Sequence, residues 1–125
     1  MKHYLLMLLL LLPGQSFASY TSSDIWFCRV VGNVDETKVM FVTPLWEDTH
    51  NNHYQEREKA FIKHLQYLTK NKFNPAFQAK CRDYLDKDRA EKHRQLEMKT
   101  AKKYDFEVKE IPWKWKANHD KTKDR

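Results

Sequence analysis

Cys28 and Cys81 are the residues most able to do chemistry in this chain. They lie far apart and show no C-x-x-C spacing. They therefore read as a structural bridge rather than a redox pair or a catalytic thiol. The serines after residue 18 are Ser19, Ser22 and Ser23, all in a polar lead. A serine nucleophile needs rigid placement beside a base, which such a lead does not give. Gly32 is the only glycine after residue 18, so a Gly-rich phosphate loop is excluded. Glu56 with Glu58, and Asp86 with Asp88, pair carboxylates, but lysines and arginines surround them. They read as solvated helix surface rather than as an acid–base pair. Asp48, His50 and His53 share one loop, and His64 follows on the next segment. Oxygen and imidazole ligands at this spacing could hold zinc or copper, with His50 and His53 as the residues a metal would use. A convincing fourth ligand is missing. The expectation is no metal, no cofactor and no catalytic residue, hence a protein that is not an enzyme.

A different chemistry sits at the C-terminal end. Trp113, Lys114, Trp115 and Lys116 alternate indole with ammonium. In an extended chain the tryptophans point one way and the lysines the other. Such a face suits a membrane interface or a partner with acidic rims. The competing reading has the indoles finishing a sheet while the lysines stay in water. The end of the last strand is expected between them, which puts Trp113 in the core and leaves Trp115 exposed.

The N-terminal residues address the chain. Lys2 and His3 give a short basic start, an unbroken apolar run covers 5–12, and Pro13-Gly14 ends it. Ser16-Phe17-Ala18 offers small residues where a signal peptidase cuts. Residues 1–18 therefore read as a signal peptide, and the apolar run is too short for a permanent anchor. The expected location is exported, periplasmic or secreted, where Cys28 and Cys81 can pair. That bridge would close a loop of about 54 residues, worth ~4 kcal/mol in the chain-entropy model.

What remains after such a cut is about 107 residues, enough for one domain. Lys and Arg number 23 against 17 Asp and Glu, a formal charge of +6. That excess suits an anionic partner, or it simply keeps the protein soluble. The pattern predicts a single α+β domain over 19–116 and a charged, disordered tail over 117–125. Residues 25–31 read as a strand, Gly32-Asn33 and Asp35-Glu36 as a turn with Gly32 at positive φ, and 38–46 as the returning strand. Both faces of that second strand are apolar. A helix is expected from Tyr54, with Phe61, Leu65 and Leu68 at helical spacing. A second is expected from Asn74-Pro75, with Phe77, Cys81, Tyr84 and Leu85 as its apolar face and a break near Asp88 before a polar helical stretch. A third strand is expected over 105–115. The result is a small three-stranded, mainly antiparallel sheet in the order β-β-α-α-β, with two helices on one face. Cys81 on the second helix would tie that layer to the sheet.

Cys28 on an early strand, Val42-Thr43-Pro44-Leu45-Trp46 at the end of the next, Cys81, Arg94 in a helix and a last strand ending at Trp113 form a pattern. It resembles small exported bacterial domains of unknown function. The resemblance implies a compact disulfide-tied α+β module and no activity. The expected function is a non-enzymatic binding module for a protein or an anionic envelope component, without specific nucleic-acid recognition. The alternative is an envelope-active protein that contacts anionic membrane through its basic, Trp-rich end.

Overall fold

The computed structural model describes residues 23–49 and 53–116. The expected signal peptide, the tail and His50 lie outside them. The described elements are β1 (Ser23–Val34), β2 (Thr37–Val42), β3 (Trp46–Thr49), α1 (Tyr54–Leu68), β4 (Phe73–Pro75), β5 (Lys80–Tyr84), α2 (Lys87–Lys103) and β6 (Glu107–Glu110). The fold is α+β, with two helices and a mixed six-stranded sheet among the described residues.

Central to the sheet is β1, which is paired along both edges. On one edge it meets β2 and β3, on the other β4 and β5, all antiparallel. In register, β2 and β3 are one strand with one extra residue: Arg29 faces Val42, but Trp26 faces Trp46. Pro44 has no amide to give the ladder, which favours a bulge at this point. Thr43 repairs the break, because its Oγ1 accepts from Cys28 N at 3.0 Å and its N donates to Cys28 O at 3.0 Å. The extra residue also reverses parity, so Trp46 joins the same core as Val39 and Phe41. β4 and β5 are likewise one edge strand, broken by two extra residues between Pro75 and Lys80. β6 runs parallel to β2.

This topology corrects the expected three-stranded sheet with both helices on one face. α1 carries the chain from β2–β3 across β1 to β4–β5, and α2 carries it back across β1 and β2 to β6. Crossovers of one hand that run in opposite directions must lie on opposite faces. The packing agrees. Trp26, Cys28, Val30, Val39 and Phe41 bury against Phe61 and Leu65 of α1. Phe27, Met40 and Val42 bury against Met98 and Ala101 of α2. Both faces of β2 are apolar because both are covered.

The expected second helix is also corrected, since 73–75 and 80–84 are strand. The spacing of Phe77, Cys81, Tyr84 and Leu85 imitates a helix face, yet Phe77 and Leu85 are exposed. Cys81 sits directly opposite Cys28 with a Cα separation of 4.0 Å, and the two form a disulfide. The bridge therefore joins neighbouring strands, not a helix to the sheet. The third strand is only four residues long and parallel. It ends where a Trp113 N to Ile111 O bond of 2.7 Å closes a tight turn on Pro112, whose fixed φ suits it.

Gly32 does not sit at positive φ; Asp35 in the turn does, at 55°. Gly32 faces Val39 and Pro75 on its two sides. A Cβ there would collide with Asn74 O and come within 2.7 Å of Pro75 Cα and 2.8 Å of the Phe73 ring. Gly32→Ala is therefore expected to cost about 2 kcal/mol or more by overpacking, read from urea denaturation. A change below about 0.5 kcal/mol would show that β4 can move away.

The helix ends need no glycine. Asp105 at φ 68° ends α2, with Phe106 N bonded to Ala101 O and Asp105 N to Lys102 O. Lys70 and Asn71 close α1 the same way, with Asn71 N on Gln66 O. These are Schellman-type ends built on non-glycine residues. Asp86 starts α2 by accepting from Asp88 N at 3.0 Å.

Candidate functional site

Two places bring together polar and aromatic groups that the fold does not simply dilute over the surface. The first is inside. Arg57 on α1 is fully buried, and its guanidinium carbon lies 3.5 Å from the Trp26 ring centre and 4.3 Å from that of Trp115. Nη2 donates to Asp48 Oδ2 at 3.0 Å and Nη1 to His53 O at 3.1 Å. Burial pulls the Arg57 pKa below its ordinary value, and the Asp48 hydrogen bond opposes that shift. A cation between two indoles, held in plane by a carboxylate and a carbonyl, binds four chain segments into one unit. Those segments are β1, β3, the start of α1 and the C-terminal run. Around this unit Trp46 meets Trp113 edge to face at 6.1 Å, and Phe61 meets Trp113 at 5.2 Å.

The expected assignment is thus corrected for Trp115, which is buried, whereas Trp113 does pack on the core, half-buried. Trp115 is 7% exposed and lies on Arg57, while Trp113 is half-buried between Trp46, Phe61 and His64. The turn at Pro112 breaks the strand and carries the chain onto the α1 face. Lys114 and Lys116 stay exposed. Sequence reasoning missed Arg57 because an arginine in a charged helix gives no sign that its ring partners lie 31 residues before and 58 after it.

His53 is exposed, and its Nδ1 stands 3.6 Å from Glu56 Oε1. Asp48 is taken up by Arg57. No group of three or more His, Cys, Asp or Glu side chains converges among the described residues. His64 is half-buried on Trp113, and burial lowers its pKa. A folded pKa below the unfolded value of about 6.5 means the unfolded chain binds the extra proton first, so stability falls as pH drops through and below that value. The unfolding midpoint is therefore expected to fall between about pH 7.5 and pH 5, with a smaller fall in His64→Gln. An equal fall in both proteins would assign the effect elsewhere.

The second place is on the surface, between α1 and the broken edge strand. Gln55, Glu58, Lys59 and Ile62 form one stripe of α1, spaced as neighbours on a helix. Facing them are Pro75, Phe77, Gln78 and Ala79, and the groove between has a volume of about 430 Å³. Cys28 turns both of its backbone polar groups toward Thr43, so the Cys28–Cys81 pair exchanges no backbone bonds. Cys81 N therefore points outward, and Glu58 Oε2 accepts from it at 3.1 Å. Glu58 Oε1 takes the Gln78 amide at 3.1 Å. One turn earlier, Tyr54 OH donates to Asp83 Oδ1 at 2.8 Å, a bond that raises the Tyr54 pKa together with burial.

These bonds fix α1 to β5 and to Gln78, and leave the Phe77 ring of the 76–79 segment in solvent. Phe77 forms the outer wall and is 73% exposed. Ile62, Pro75, Phe77 and Ala79 make the lining largely apolar, and beside them stand one ammonium, two amides and the buried Glu58 carboxylate. The described residues contain no free cysteine. Such an arrangement can receive an apolar side chain and hydrogen-bond around it. The groove could not be seen in the sequence, because Phe77 read as a core residue of a helix.

No protein-family model matches the chain, and none of the curated proteins or solved structures compared with it matches either.

Proposed function

We propose that the protein is a small exported, disulfide-tied, non-enzymatic binding module, and that it takes an apolar side chain of a partner protein in the Phe77 groove. The observation that carries this reading is a large aromatic ring standing in water in a largely apolar groove. Phe77 gains nothing for the fold by that position, whereas an occupant of the groove would bury it. The ionic groups of the interior support the same reading. Arg57, Glu58 and Arg94 are each engaged in holding elements together, Arg94 through Thr43 O at 2.8 Å and Glu110 at 2.6 Å. The leader over 1–18 is the support for export, and a disulfide is compatible with it.

The test is a photo-cross-linking residue placed at position 77 in the producing cell, with position 104 as an exposed control. The expected result is a discrete protein adduct from 77 and none from 104. No adduct at 77, or the same adducts from both positions, would remove the groove as the binding site. Phe77→Ala should leave the unfolding midpoint almost unchanged, because an exposed ring contributes little to stability.

A further inference from the structure

The outer face of α2 goes beyond the groove and is independent of it. We infer that this face docks on an anionic membrane surface. α2 buries Ala90, Arg94, Met98 and Ala101. Diametrically opposite run Arg89, Lys92, Leu96, Lys99 and Lys103, spaced three and four residues apart along one line. That line is about 21 Å long. Every member is exposed, and Leu96 is 61% exposed. Leu85, just before the helix, is 89% exposed.

Two of the three acids of α2 are engaged away from this row. Glu97 pairs with Arg29 at 3.0 Å, and Glu91 leans on Arg94 at 3.6 Å and takes the Gln95 amide. Both are drawn to the flanks of the helix, and Asp88, the third acid, stands exposed at the N-terminal end of the row without an ion pair to it, so four cations face one carboxylate there. Among the described residues Arg89, Lys92, Lys99 and Lys103 have no ion-pair partner. Uncompensated cations in a row call for a negatively charged surface.

Leu96 decides which surface. A helix that forms the outermost layer of a three-layer fold is convex, and a planar interface meets its whole length. On such an interface the lysines spread to lipid phosphates on either side while Leu96 enters the acyl boundary. A purely ionic contact with an acidic segment would satisfy the cations but leave Leu96 in water, whereas a lipid interface takes both at once. The membrane contact expected at Trp113–Lys116 thus moves to α2, since Trp115 is committed to Arg57.

The experiment is vesicle sedimentation of the full, oxidised chain. Phosphatidylcholine vesicles containing about 30% phosphatidylglycerol are compared with pure phosphatidylcholine, at low and high salt. All variants keep the same N-terminal residues, so any leader contributes equally. Binding is expected only to the anionic vesicles and is expected to be lost at about 0.5 M salt, where the Debye length is only a few ångströms. Lys92→Glu with Lys99→Glu should weaken it at least tenfold, given about fivefold per cation near such a surface. Lys63→Glu with Lys70→Glu, in and just after α1, makes the same change in net charge and should alter binding by no more than about twofold, within the contribution of the overall field. Leu96→Ala should weaken binding and leave the salt dependence intact. Equal loss in the two charge-reversal pairs would overturn the inference in favour of net charge alone. Binding to polyglutamate without binding to vesicles would overturn it in favour of an acidic protein partner.

Discussion

Arg57→Ala is expected to destabilise the protein by about 3 kcal/mol or more. The substitution removes a fully buried cation from between Trp26 and Trp115 and leaves a gap where it stood. It also takes away the donors that reach Asp48 and His53 O. Asp48 keeps about a quarter of its side chain in water, so its loss alone falls at the low end of the buried-pair range. The two cation–π contacts and the cavity add to it. Arg57→Lys should recover little, because an ammonium cannot stack on two indoles and donate in plane to two acceptors. Urea denaturation would measure both changes. A cost under about 1 kcal/mol for the alanine variant would mean that the C-terminal run does not depend on Arg57.

Loss of the Cys28–Cys81 bridge is expected to have the next largest effect, about 2–4 kcal/mol. The bridge spans 53 positions and links the central strand to the edge strand that follows α1. Without it, that edge is held by the β1 ladder, by Glu58 on Cys81 N and by Tyr54 on Asp83. Cys28→Ala and Cys81→Ala should lower the urea midpoint equally, since each removes the same bond. The oxidised protein should resist labelling by a thiol reagent and take two labels after reduction in denaturant. Two labels without reduction, or a midpoint insensitive to reductant, would contradict the account.

The elements legible in the sequence were those whose own pattern agrees with their place. β1 and β2 are rich in β-branched and aromatic residues, and α1 shows helical spacing from Phe61 to Leu68. The α+β class follows from the same signals, and the cysteine pairing was read from two widely spaced cysteines in a chain expected to be exported. The two apolar faces of β2 held the arrangement of the helices, but periodicity records only that both faces are buried, not what covers each. The edge strand was misread because Asn74-Pro75 is a good helix start and Cys81, Tyr84 and Leu85 fit a helix face by spacing. In a pair of bulged three- and five-residue strands, partners far away in sequence decide the matter. The candidate site suffered for the same reason. A groove formed by α1 and the 75–79 segment exists only once that segment is known to be strand and bulge. The row on α2 could have been found earlier: Arg89, Lys92, Leu96, Lys99 and Lys103 stand opposite the apolar stripe at helical spacing.

The most direct test of the binding-module account is calorimetry of the purified, oxidised protein with the partner captured from position 77. Wild type is compared with Phe77→Ala. Removing a ring that is buried only on binding should weaken the complex about tenfold or more while leaving the fold intact. Unchanged affinity in the folded Phe77→Ala protein would contradict the account, because the groove would then not be where the partner is held.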